Sequence, residues 1–278
     1  MTAAQPTPED DLELLRTSAV AAGILASGYF RRQVKTWEKA NASPVSEADI
    51  VVDKFLRGSL RAARPDYGWL SEETADDRER LGKTRTFIVD PIDGTRGFIR
   101  GDEAWSVSLA VVENGVPIAG VIFAPALDEM YDAYSGGGAR LNGRPLKRVR
   151  RSGAPPTIPA PTAVHQEMQA AGLEYRRGGH YPSLAYALVQ VATGKLDAAV
   201  ARRGSLDWDI AAAAIILDEA GIAFADVCAG FPTFNKAELR HGALAALSDM
   251  SLKPIVHAAL IKVYGCPAGA EASQASVL

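Results

Sequence analysis

Cysteine is scarce in this chain. Only Cys228 and Cys266 occur among its 278 residues, far apart. That excludes a disulfide framework, and a lone distant pair points to reduced thiols. The four histidines are scattered, so no His/Cys cluster of zinc type is present. Long apolar runs are missing too: AAAAII (211–216) is far short of the roughly 18 residues needed to cross a bilayer. The start, MTAAQPTPEDD, lacks the basic region and apolar core of a secretory signal. Nor is there strong charge of either sign. A formal net charge of −3 gives no pull toward a nucleic-acid polymer or a membrane surface. The one basic cluster, KRVRR (147–151), is local and reads as a solvated strand end. These absences describe a soluble cytoplasmic chain. At 47% hydrophobic and 23% charged residues, it has ample material for one large or two modest domains.

What is present is acid in particular places. Residues 86–95 read TFIVDPIDGT. Thr86 to Val89 have the β-branched and aromatic character of a short buried strand. Asp90 and Asp93 stand at its carboxyl end, where Pro91 interrupts the ladder and Gly94 frees the backbone to turn. Two acids on such a turn can hold hard cations and let a phosphate approach backbone N–H groups. Taken alone, they read better as an ordinary strand exit with surface acids. Two further clusters accompany them. WLSEE (69–73) runs an apolar pair into Glu72 and Glu73. LDWDI (206–210) opens onto AAAAIILDEAG, a helix pattern with Gly221 at its end, and places Asp209 near the helix start. Asp209 also suits a helix cap, and Glu72 and Glu73 a solvated loop. Those separate readings leave the combination of three acid clusters unexplained.

In this order and at these separations, SEE, DPIDGT and WD resemble the inositol monophosphatase superfamily, metal-dependent and often lithium-sensitive phosphomonoesterases. SPVSEAD (43–49), GARLNGRPL (138–146) and VATGKLDAAV (191–200) extend the likeness across residues 10–250. The resemblance implies a layered α/β/α/β/α sandwich with its site between the halves. It implies hydrolysis of a small phosphomonoester with two or three Mg²⁺ per site, and homodimers are usual in the family. Glu72, Asp90 and the Ile92 carbonyl would hold a first metal. Asp90, Asp93 and Asp209 would hold a second, and Glu72 could meet a third. Thr95, linked to Asp49, would help deprotonate the attacking water. Gly94 and Thr95 N–H groups would contact the phosphate, and Asp93 and Asp209 would also serve the leaving-group side. The resemblance also implies direct attack by metal-bound water, rather than a phosphoenzyme formed on an aspartate.

Departures from the family pattern concern the substrate. Ser71 replaces the usual glycine before the paired glutamates. Arg96-Gly97-Phe98-Ile99 replaces the Thr-Asn-Phe of inositol phosphatases and looks like the 3′(2′),5′-bisphosphate nucleotidase branch or the histidinol-phosphatase branch. Arg96 could grip a second phosphate or lie on the surface. In RRGGHYPSLAYAL (176–188), Ser183 takes a place on the substrate side, and Tyr181 or Tyr186 could stack on a base or pack in the core. The stretch before it, 152–180, is short for the family. The leading substrate is adenosine 3′,5′-bisphosphate, with inositol 1-phosphate and histidinol phosphate behind it. A metal- and phosphate-binding regulatory protein without activity is the alternative of a different class.

Helices are expected over 8–31 and over 47–63, the latter with Ser46 and Asp49 forming a capping box. A hairpin is expected at Asn114-Gly115 and a strand at 129–134. Pro-rich residues 152–162 read as a boundary between units 1–151 and 152–264. The second unit alternates helix (183–193), strand (196–200), helix (209–219) and strand (222–226), an α/β pattern. Residues 265–278 read as a flexible tail.

Overall fold

Helix α1 (Pro8–Ser27) opens on a reciprocal box between Thr7 and Asp10, with Pro8 in the first turn, where no N–H is needed. This is a computed structural model, describing residues 5–39, 43–146 and 153–266. The helix ends short of residue 31. The apolar pattern continues through Tyr29 and Phe30, but they pack from a turn in which Arg31 has φ 57°. Strands β1 (Thr36–Glu38) and β2 (Pro44–Ser46) pair antiparallel ahead of α2 (Glu47–Ala63). The expected box forms: the Asp49 carboxylate accepts the Ser46 N–H at 2.8 Å and the Ser46 hydroxyl at 2.6 Å.

A seven-stranded sheet follows in chain order. Strand β3 (Gly68–Ser71) lies parallel to β4 (Arg85–Asp93), and every later pair is antiparallel. Strand β4 runs past the expected end at Asp90 to Asp93, slipping register over Pro91, which cannot donate to the ladder. Helix α3 (Thr95–Arg100) then leads to β5 (Ser106–Glu113) and β6 (Val116–Ala124). Their two-residue turn puts Asn114 at φ 49° and Gly115 at φ 86°, as an Asn-Gly hairpin requires. The sheet closes with β7 (Glu129–Tyr134), β8 (Gly138–Leu141) and β9 (Arg144–Pro145).

Beyond it come β10 (Thr157–Ile158), α4 (Thr162–Ala170), β11 (Arg176–Arg177) and α5 (Leu184–Val189). The chain continues through β12 (Ala198–Ala201), α6 (Asp207–Glu219), β13 (Ala223–Asp226), β14 (Leu244–Leu247) and α7 (Lys253–Tyr264). Strands β12, β14 and β13 form a second sheet in that order.

Alternation along the strands builds the layers. Phe87 and Val89 of β4 pack with α1 and α2, whereas Ile88 packs with α5 and α6. Leu244 and Ala246 of β14 join that second cluster, while Ala245 and Leu247 face α4 and α7. The order is therefore helix, sheet, helix, sheet, helix, the α/β/α/β/α sandwich that the sequence led us to expect.

One expectation is overturned. Cys228 and Cys266 are not free thiols but form a disulfide, with Cα atoms 5.7 Å apart and 38 residues between them in sequence. Their number and spacing could not show that α7 returns its end to the loop after β13. The cysteine argument for a reducing compartment falls with it. KRVRR and residues 267–278 lie outside the described residues. Among the described residues, no helix is long and apolar enough to cross a membrane.

Candidate active site

The carboxyl end of β4 and the start of α6 meet at a cleft of about 640 Å³, bordered by Glu72, Asp90, Asp93, Gly94, Thr95 and Asp209 among others. Gly94 caps α3 at φ 93°, and a Cβ there would lie 2.9 Å from the Pro182 carbonyl carbon and the Ser183 nitrogen. A Cβ on Gly97 would strike Pro182 at 2.3 Å. Glycine at both positions lets the segment ahead of α5 dock directly on the acid turn.

That docking holds Asp93. Its carboxylate accepts the Ser183 hydroxyl at 2.5 Å and the N–H groups of Ala185 and Leu184 at 2.7 and 3.3 Å. Ser183 was expected on the substrate side; it is instead buried behind Asp93 and does not line the cleft. Asp90 accepts the Ile92 N–H at 3.1 Å, and Asp209, in the first turn of α6, accepts the Leu206 N–H at 2.7 Å. The Thr95 oxygen lies 2.9 Å from Asp49 Oδ1 and 3.0 Å from the Ile92 carbonyl. Glu72 follows β3, and its carboxylate meets Lys39 Nζ at 2.9 Å, which also reaches Glu73 at 2.7 Å.

Crowding shifts these acids. Burial, then the charges of Glu72, Asp93 and Asp209, hold Asp90 well above the usual carboxylate range. Burial and then Asp93 push Asp209 up to about 8. Burial raises Asp93 to about 6 against the opposing pull of its Ser183 and backbone hydrogen bonds. Glu73 rises to about 7, again chiefly through burial, and Asp49 is raised for the same reason. Lys39 is the basic side chain that pairs with Glu72 and Glu73; among the described residues none pairs with Asp90, Asp93 or Asp209. Buried carboxylates with only hydrogen-bond partners are the donor set a hard divalent cation requires, so the residues fit Mg²⁺. Among the described residues no three such side chains are already closed into a cage; they border one cleft.

The same cleft also carries basic and aromatic side chains. Arg96 and Arg100 border it from α3, and Arg202, Arg240, Tyr181 and Trp208 from the later half. Arg100 also pairs with Asp102 at 2.7 Å. The sequence pointed to Arg96 and Tyr181. Lys39, which pairs with Glu72, and Arg202 and Arg240, which line the cleft, carried no local signal, because they come from segments without motif character.

A five-layered α/β fold with an acid-lined cleft between its sheets defines the class: phosphoric monoester hydrolases. The chain belongs to the inositol monophosphatase family, whose model matches residues 8–262. It is 35% identical over 224 residues to the histidinol-phosphatase of Chlorobaculum parvum, covering 76% of this chain and 83% of that one. It is 32% identical over 192 residues to the inositol-1-monophosphatase of Rhizobium meliloti, covering 66% and 72%. The 3′(2′),5′-bisphosphate nucleotidase CysQ of Escherichia coli is 31% identical over 190 residues, covering 66% and 76%. Among solved structures, an IMPase of Thermotoga maritima superposes with a TM-score of 0.77 at 26% identity, covering 91% of this chain and 98% of that one.

Proposed function

We propose that the chain is a Mg²⁺-dependent phosphomonoesterase whose preferred substrate carries a second anionic group, with adenosine 3′,5′-bisphosphate, hydrolysed to AMP, as the leading candidate. The two-signed cleft carries this reading: Glu72, Asp90, Asp93 and Asp209 line it together with Arg96, Arg100, Arg202 and Arg240. Guanidinium groups suit a phosphate that is bound but not cleaved.

Glu72, Asp90 and the Ile92 carbonyl would hold one Mg²⁺, and Asp90, Asp93 and Asp209 a second, with Glu72 available to a third. Bound there, Mg²⁺ supplies charge neutralisation for the phosphate and acidifies water. The protein's own contribution is positional. Thr95 directs its hydroxyl proton to Asp49 and keeps an oxygen lone pair to take a proton from the attacking water. The N–H groups of Gly94 and Thr95, where α3 begins, face the phosphate. Ser183 keeps Asp93 in place.

Histidinol phosphate is the second reading, favoured by the 35% identity to a histidinol-phosphatase. Its cationic amine would meet a cleft that also carries Arg96, Arg100, Arg202 and Arg240, which argues against it. The test is phosphate release from adenosine 3′,5′-bisphosphate, histidinol phosphate and inositol 1-phosphate, each with Mg²⁺, with EDTA, and with Mg²⁺ plus Li⁺. We expect Mg²⁺-dependent, Li⁺-inhibited release, fastest from the bisphosphate. Faster turnover of histidinol phosphate would transfer the assignment to that branch.

A further inference from the structure

Beside the acid-lined cleft lies a recess of about 340 Å³. The two share Pro161, His180, Tyr181, Pro182, Leu184 and Val200, so a ligand can span them without crossing bulk protein. The remaining wall is Pro159, Ala160, Gly178, Gly179, Ala187 and Ala199; no carboxylate, lysine or arginine lines it. Its form is built in. The parallel ladder between β10 and β11 is extended by the Gly178 N–H, which donates to the Ile158 carbonyl at 3.0 Å. A Cβ on Gly178 would meet Pro159 at 2.7 Å, so only glycine permits this approach. Ala187 and Ala199 are nearly fully buried small side chains beneath it. Tyr181 is held half-buried, its ring centroid 6.0 Å from that of Tyr186.

We propose that this recess receives a flat heteroaromatic ring on the substrate's leaving group, a purine base or a ring of similar shape, while the scissile phosphate lies among the acids. The proposal rests on the phosphatase reading of the adjoining cleft, and continuity with that cleft identifies the occupant. A polyol would lose water from its hydroxyls against proline and alanine and gain no partner. A second phosphate belongs with the arginines, not here. A ring offers two apolar faces to stack on Tyr181 and a small edge for His180.

The probe is adenosine, which carries the ring and no phosphate. Its binding to the Mg²⁺-loaded protein is measured by equilibrium dialysis, with ribose as the ring-free control. Two variants fill the recess: Gly179→Phe and Val200→Phe. A Cβ at Gly179 meets no atom within 4 Å, so a side chain can leave the backbone there without a clash. We expect wild type to bind adenosine in preference to ribose, and each filled variant to bind it about tenfold more weakly. Adenosine binding absent from wild type, or unchanged in both variants, overturns the proposal. So does a change in molecular mass by light scattering with adenosine binding unaltered, which would make the recess a contact between copies. Phosphate release is scored separately. Fill-sensitive adenosine binding in a protein that releases no phosphate upholds the recess and sinks the phosphatase reading. Turnover together with fill-insensitive binding sinks the recess alone.

Discussion

Asp209 keeps its proton to about pH 8, through burial and the neighbouring charge of Asp93, whereas an ordinary aspartate loses it near 3.8. Asp90 and Asp93 are raised in the same direction. Between the two limits the folded protein binds protons that the unfolded chain has released. The stability Asp209 contributes is therefore complete below about pH 4 and is lost as pH rises through about 8, with that of Asp93 lost through about 6. A divalent cation that binds the ionised acids acts in the opposite sense, most strongly at the alkaline end. We expect the melting temperature of EDTA-treated protein to fall from pH 5 to pH 8.5 by more than Mg²⁺-loaded protein does. Asp209→Asn should flatten the metal-free curve, shrink the Mg²⁺ effect and cut phosphate release by roughly two orders of magnitude. A metal-free curve as flat as the loaded one, or an active Asp209→Asn enzyme, would remove Asp209 from the site. The four acids were legible in the sequence because each sits at a strand end or helix start within one of three motifs. Lys39 and the true place of Ser183 were not, since their partners Glu72 and Asp93 lie 33 and 90 residues away.

Elements must hold those acids in register, and Asn235 ties three of them together. Its side chain accepts from Arg80 Nη1 at 2.7 Å and donates to Thr86 Oγ1 at 3.1 Å. Its N–H donates to Asp207 Oδ2 at 2.7 Å, and the other oxygen of Asp207 meets His241 Nε2 at 2.7 Å. Arg80 follows the Glu72 loop, Thr86 shares β4 with Asp90 and Asp93, and Asp207 begins α6 two residues before Asp209. Asn235 itself has φ 55°, so glycine is the substitution that keeps its backbone. We expect Asn235→Gly to fold, to lose about 1–3 kcal/mol, and to need several-fold more Mg²⁺ for half-maximal activity. The metal-induced thermal shift should need correspondingly more Mg²⁺. An unchanged Mg²⁺ dependence in both readouts would reduce Asn235 to a stabilising residue. No sequence pattern marks such a brace. Elements with local signals were readable: the Ser46–Asp49 box and the Asn114-Gly115 hairpin formed as expected. Strand β4 beyond Pro91 and helix α4 were not, because a proline reads as a stop and the prolines before Thr162 read as a linker.

At the scale of the whole molecule, the five layers place the cleft where β4 of the inner sheet ends against the first turn of α6. The outermost layer, α4 and α7 over the second sheet, contributes no acid to it. That layer is where the disulfide lies, since Cys228 and Cys266 pack with the α4 and α7 cluster and neither borders the cleft. A covalent link there should act on stability more than on chemistry. Closing a loop of 38 residues removes chain entropy from the unfolded state, worth about 4 kcal/mol in the loop-entropy account. Titration of the native protein with a thiol reagent should find no free cysteine, and two after reduction. Reduction, or Cys266→Ser, should lower the melting temperature, with kcat held within about twofold because the link and the acids share no partners. Two reactive thiols in the native protein would show that the pair is not joined in solution. A loss of kcat as large as the loss of stability would mean that the outer layer positions the cleft after all, through the chain that runs from α7 past Arg203 to α6.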